Sequence, residues 1–138
     1  MTRLVIFDLD GTLLDTIDDL AAATNHALQQ NGYPAHERSA YRYFVGNGIT
    51  KLMERALPED QRNEKTVIRV RQDFVDYYSM HNMDYTKPYP GIPELIDDLQ
   101  KQGIRMAVAS NKYQAATGKL IDRYFPADTF ATVHGQRE

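Results

Sequence analysis

Arg3-Leu4-Val5-Ile6-Phe7-Asp8-Leu9-Asp10-Gly11-Thr12-Leu13-Leu14-Asp15-Thr16 is the stretch whose reading decides the fold. Four consecutive apolar residues, Leu4 to Phe7, two of them β-branched, read as a strand buried on both faces of a parallel sheet. The apolar run stops at Asp8, Asp10 follows two positions on, and Gly11 permits the tight turn that ends the strand. Open α/β sheets bind ligands at the carboxyl ends of their parallel strands. Two carboxylates placed there can divide the labour, one attacking as a nucleophile or holding a cation, the other carrying a proton. The bland alternative is a pair of solvated turn residues.

Outward from this stretch, the chain has 138 residues, enough for one domain or a domain with an insert. Hydrophobic content of 42% and charged content of 25% are ordinary for a globular protein. A net charge of −3 and the lack of any basic run argue against a nucleic-acid partner or a polybasic membrane contact. Without cysteine there are no disulfides and no thiolate metal sites, which fits a reducing, cytoplasmic setting. No apolar run approaches the roughly 18 residues of a membrane span, and the chain enters its first strand without a leader-like segment.

After the opening strand, Thr16 is expected to cap a helix, with Asp18 and Asp19 in its first turn where the dipole favours them. Ile17, Leu20, Ala21, Thr24, Ala27 and Leu28 recur at helical spacing until Asn31-Gly32. Glu37 to Phe44 reads as a short helix. Val45-Gly46-Asn47-Gly48 then precedes a helical face of Ile49, Leu52, Met53, Ala56 and Leu57. Its two glycines suit either a close approach to a ligand or a plain helix–helix turn. Val67, Val70, Phe74, Tyr77, Tyr78 and His81 outline a further amphipathic helix whose aromatic stripe reads as core. Pro88, Tyr89-Pro90-Gly91 and Pro93 mark the return to an α/β pattern. That pattern is a helix through Leu99, a strand from Ile104 to Ala109, a helix through Tyr124 and a strand from Phe130 to His134. A helical insert leaving beside the acidic turn is placed to cover it and exclude water.

Ser110-Asn111-Lys112 ends the second apolar strand and is expected to open a helix. A hydroxyl, an amide and free N–H groups there suit a phosphate. The alternative is that Ser110 or Asn111 simply caps the helix.

Two of these stretches resemble a known family. Asp8-Leu9-Asp10-Gly11-Thr12-Leu13-Leu14-Asp15-Thr16 resembles the first motif of the haloacid dehalogenase superfamily in its phosphatase branch. Met106-Ala107-Val108-Ala109-Ser110 resembles the second, an apolar strand ending in Ser or Thr. Ser110-Asn111-Lys112, Tyr89-Pro90-Gly91, and Val45-Gly46-Asn47-Gly48 followed by Glu54-Arg55-Ala56-Leu57 resemble its phosphoglycolate phosphatase group. The resemblance implies a Rossmann-like α/β core with three parallel strands present, over 1–14 and 86–138, and an inserted helical cap over 15–85. It implies Mg²⁺-dependent hydrolysis of a small phosphorylated metabolite, such as 2-phosphoglycolate, through an aspartyl-phosphate. By the same resemblance Asp8 is the nucleophile and a Mg²⁺ ligand. Asp10 protonates the leaving alcohol, then activates water, and offers its backbone carbonyl to the metal. Ser110 and Asn111 hold the phosphoryl group, helped by the N–H groups of Leu9, Gly11 and Thr12. Gly46, Asn47 and Gly48 form a substrate-specificity loop. The carboxylate at Asp10 separates this pattern from dehalogenases and phosphonate hydrolases. A phosphosugar mutase and a non-catalytic phosphate-binding or assembly module remain as alternatives.

The resemblance also implies a lysine and a pair of acidic residues beyond the third strand, where this sequence has only Gly135-Gln136-Arg137-Glu138. Lys112 belongs to the second motif and is not that lysine, although its side chain could reach a phosphate. The chain is therefore expected to be a fragment of a longer phosphatase. Leu4 to Phe7 should leave an open sheet edge, prone to self-association and to marginal stability.

Overall fold

The computed structural model describes residues 3–137 and divides them into two units, one running up to Asp15 and resuming at Lys87, the other Thr16–Thr86. In the first unit β1 (Leu4–Phe7), β4 (Arg105–Tyr113) and β5 (Thr132–Gln136) form a parallel sheet in the order β1-β4-β5. Leu4 pairs with Arg105 and Phe7 with Val108. Helix α5 (Ile92–Lys101) leads into β4, and α6 (Gln114–Tyr124) joins β4 to β5. A two-stranded antiparallel ribbon of β2 (Leu14–Asp15) and β3 (Lys87–Pro88) completes the unit.

The strand order explains one departure from expectation. Both crossovers step in the same direction along the sheet, and right-handed crossovers that do so lay their helices on the same face. Phe7, Met106 and Val108 are buried on that side, with Ile96, Leu120 and Ile121 from the helices. The opposite face carries Leu4 and Ile6, which remain 50% and 62% exposed. They border a groove shared with Ala107, Ala109, Thr132 and His134. β1 is thus buried on one face, not on both.

The second departure lies at the end of β4. The strand continues past Ala109 through an irregularity to Tyr113, which pairs with Gln136. Helix α6 begins only at Gln114, so Ser110-Asn111-Lys112 lies in the strand's extension and not in the first helical turn. Gly135 makes this possible. A Cβ there would stand 2.6 Å from Gln114 Cα and 2.7 Å from both Gln114 N and the Lys112 carbonyl oxygen. Those are backbone atoms that cannot swing aside. Gly135→Ala is expected to cost about 2–3 kcal/mol through overpacking. An unchanged urea midpoint would refute the close approach.

The second unit is helical: α1 (Ile17–Gln30), a 3₁₀ turn (Arg38–Ala40), α2 (Tyr41–Phe44), α3 (Ile49–Ala56), a second 3₁₀ turn (Glu59–Gln61) and α4 (Glu64–His81). Its core packs Leu20, Ala27 and Leu28 of α1 against Val67, Val70, Phe74 and Tyr78 of α4, with Leu52 and Met53 of α3. The aromatic stripe of α4 is core at Phe74 and Tyr78, while Tyr77 stacks between His26 and His81. Asn63 caps α4 by accepting from Thr66 N. Fully buried Tyr41 donates its phenol proton to Asn25 Oδ1, and burial pushes that phenol up from its ordinary value.

Thr16 departs from expectation, since its side chain makes no capping bond to α1. Asp19 stands in the first turn as expected and does more there. It turns inward, is 2% exposed, and accepts from Tyr85 N, Thr86 N and Thr86 Oγ1, the last at 2.6 Å. Asp18 stays outside and pairs with Arg38. Among the described residues no helix is long and apolar enough to cross a membrane.

Candidate active site

Alternation along the chain aims the acidic pair outward. Leu9 and Leu13 are completely buried, so the intervening turn is pinned from below while Asp8 is exposed and Asp10 half-buried. Gly11 takes φ +78°, a conformation in which a Cβ would be strained. The turn is closed by its own backbone, with Leu13 N and Leu14 N both donating to the Leu9 carbonyl at 3.1 Å. The N–H groups expected to face a phosphate are engaged within it. Leu9 N donates to Asp8 Oδ1 at 2.8 Å, Gly11 N to the Leu14 carbonyl at 3.0 Å, and Thr12 N to the Leu9 carbonyl at 3.3 Å.

The adjacent parallel strand supplies the second wall. Because Phe7 pairs with Val108, Asp8 leaves β1 at the same sheet end where Ser110, Asn111 and Lys112 follow along β4. Ser110 is half-buried, and its Oγ accepts from Lys112 N at 3.1 Å. Asn111 is exposed. Lys112 is the residue whose place sequence reasoning missed. Its side chain is 5% exposed, and its Nζ stands 3.4 Å from Asp10 Oδ1. Ser110, Asn111 and Lys112 fill the irregularity between the Ala109–His134 and Tyr113–Gln136 pairings, and the Lys112 N–H bends back on Ser110 Oγ in a side-chain turn.

The glycine loop lies in the helical unit. Gly46 and Gly48 take φ +135° and +86°. Arg55 braces the loop from α3, donating through Nη2 to Asn47 Oδ1 at 2.7 Å and through Nη1 to the Phe44 carbonyl at 3.1 Å.

No group of three or more His, Cys, Asp or Glu side chains gathers as a metal site among the described residues. Mg²⁺ does not require one, since it binds through one or two carboxylates and keeps its remaining positions for water and phosphate oxygens. Asp8 and Asp10, oxygen donors on a pinned turn, fit such an ion. Two carboxylates, a hydroxyl and an ammonium at one sheet end have the chemistry to bind a phosphate ester and transfer its phosphoryl group.

Comparison with known proteins identifies the family. Residues 5–138 match the family model of haloacid dehalogenase-like hydrolases. Phosphoglycolate phosphatase of Mesorhizobium japonicum is 36% identical over 135 residues, which covers 96% of this chain and 60% of that protein. Phosphoglycolate phosphatase of Pseudomonas putida is 36% identical over 143 residues, covering 98% of this chain and 51% of that protein. The crystal structure of a provisionally assigned phosphoglycolate phosphatase from Lactobacillus delbrueckii subsp. bulgaricus superposes with a TM-score of 0.90 at 30% identity, covering 99% of this chain and 65% of that one. The chain therefore spans between about half and two thirds of the length of these relatives.

Proposed function

This chain is a member of the haloacid dehalogenase-like hydrolases, and we propose that it serves a Mg²⁺-dependent phosphatase acting on a small phosphomonoester, with 2-phosphoglycolate the first to test. The observation that carries this reading is the placement of Asp8 and Asp10 at the end of β1, with Ser110 and Lys112 at the same end of the adjacent β4. The Asp8 carboxylate attacks phosphorus as the bond to the leaving oxygen breaks, and Asp10 gives that oxygen its proton. Asp10 then takes a proton from the water that attacks the aspartyl-phosphate, which releases phosphate and restores Asp8. Ser110 Oγ and the Asn111 amide orient the phosphoryl oxygens. When bound, Mg²⁺ neutralises charge on those oxygens, held by the Asp8 carboxylate and the Asp10 backbone carbonyl. Gly46, Asn47 and Gly48 stand as the residues that choose among substrates.

The test is phosphate release from 2-phosphoglycolate and a panel of small phosphomonoesters with Mg²⁺ present. Ser110→Ala is expected to lower kcat/KM by roughly 100-fold, the scale of losing one oxyanion donor. A panel that yields no phosphate removes the hydrolase reading. Conversion of a hexose 1-phosphate to its 6-phosphate assigns a mutase instead.

A further inference from the structure

We propose that Lys112 is the cation that this chain itself brings to the phosphoryl group, and that its pairing with Asp10 is the resting position from which it is drawn. The inference deepens the phosphatase reading and rests on it. A lysine side chain 5% exposed is uncommon, because an ammonium gives up its hydration to be there. Its position is dictated by the backbone. The irregularity of β4 past Ala109, closed by the Tyr113–Gln136 pairing and by the approach of Gly135 to the Lys112 carbonyl, holds Lys112 ahead of α6 and not in a solvent-facing helical turn. The Lys112 N–H donates to Ser110 Oγ, and Thr117 Oγ1, which donates to the Tyr113 carbonyl at 2.9 Å, lies 3.2 Å from the Lys112 carbonyl. The residue is thereby fixed to the proposed phosphate-binding hydroxyl through its main chain and to the proposed acid through its side chain.

The separation indicates how the ammonium is used. At 3.4 Å the Nζ–Oδ1 pair is longer than the 2.7–2.9 Å of a strong charge-assisted hydrogen bond. An ammonium held at that distance contributes mainly as a point charge and can shift towards a new anion with little geometric loss. A phosphoryl group arriving between Asp8 and Ser110 brings up to two negative charges against the one on Asp10. The ammonium then offsets part of the phosphate's charge.

The test is calorimetric binding of inorganic phosphate to the 138-residue chain with Mg²⁺ in excess, for the native protein and for Lys112→Met, Lys112→Arg and Asp10→Asn. Lys112→Met keeps length and packing but loses the charge, and is expected to weaken phosphate binding tenfold or more, on the order of one charge-assisted contact. Lys112→Arg restores the charge and is expected to recover most of the affinity, which a purely structural role would not give. Asp10→Asn removes the resting partner and is expected to tighten phosphate binding, and to do so less when Lys112→Met is also present. If Lys112→Met does not fold, the arginine and asparagine variants still decide the matter. Native binding that is unaltered in Lys112→Met, or an Asp10→Asn effect independent of Lys112, overturns the proposal and leaves the phosphatase reading standing. A native chain that binds no phosphate overturns the proposal, and the phosphatase reading then rests on the release assay alone.

Discussion

Asp8→Asn is expected to abolish phosphate release, lowering kcat by about 1000-fold or more while leaving the fold intact. The amide has the size and shape of the carboxylate but neither its charge nor its nucleophilicity, and removal of a covalent nucleophile is among the largest single losses known for enzymes. Structural cost should be small, because Asp8 is exposed and its one hydrogen bond here is from the neighbouring Leu9 N, which an amide oxygen can accept. A discontinuous phosphate assay measures the rate. Acid quenching with labelled substrate then tests for phosphate carried on the native protein as a hydroxylamine-sensitive acyl phosphate. Turnover near the native rate in Asp8→Asn would remove Asp8 as nucleophile and shift the reading towards direct attack by water.

The largest expected effect on stability is at Asp19. Its carboxylate answers three donors, Tyr85 N, Thr86 N and Thr86 Oγ1, in a site where the side chain is 2% exposed. Asp19→Ala deletes the acceptor and leaves those donors without it, two of them on Thr86, itself buried. Hydrogen bonds to charged groups contribute about 1.5–3 kcal/mol each, and a stranded buried donor costs about 1–3 kcal/mol. These terms overlap, and a total loss of about 3–5 kcal/mol is expected in a urea melt followed by far-UV circular dichroism. Thr86→Val removes only the hydroxyl donor and should cost about 1.5–3 kcal/mol. Equal effects from the two variants would mean that the backbone donors contribute nothing.

What the sequence made legible follows from range. Asp8, Asp10 and Gly11 are read from a local string, because a strand, its end and its turn are all encoded within a few residues. Helices α1 and α4 are read from the spacing of Leu20, Ala27 and Leu28, and of Val67, Val70 and Phe74, since their shared core imposes a period of 3.6. The features that escaped depend on distant chain. Exposure of Leu4 and Ile6 follows from the direction in which two crossovers step, which no local pattern carries. The ribbon of Leu14–Asp15 with Lys87–Pro88 has too few residues to show a period. Asp19 was assigned to the helix dipole because its donors lie 66 and 67 positions away. The place of Lys112 is not local, because the pairing of Tyr113 with Gln136 keeps the chain in β4 and delays α6 to Gln114.

Asp15 pairs with Lys87 in the β2–β3 ribbon, and one step beyond, Asp19 ties the first turn of α1 to Tyr85 and Thr86. The helical unit thus begins and ends at neighbouring points. Closing a flexible loop costs entropy that grows with the logarithm of its length, but a folded insert with its ends fastened together leaves only a short gap to close. For the folding of the sheet, everything between Asp15 and Lys87 has the entropic weight of a tight turn. Residues added or removed in the 3₁₀ segments or in the loop at Gly46–Gly48 would change the insert's own stability and leave that weight almost unaltered. Variation in the part proposed to choose the substrate is thereby uncoupled from assembly of the strands that carry Asp8 and Ser110.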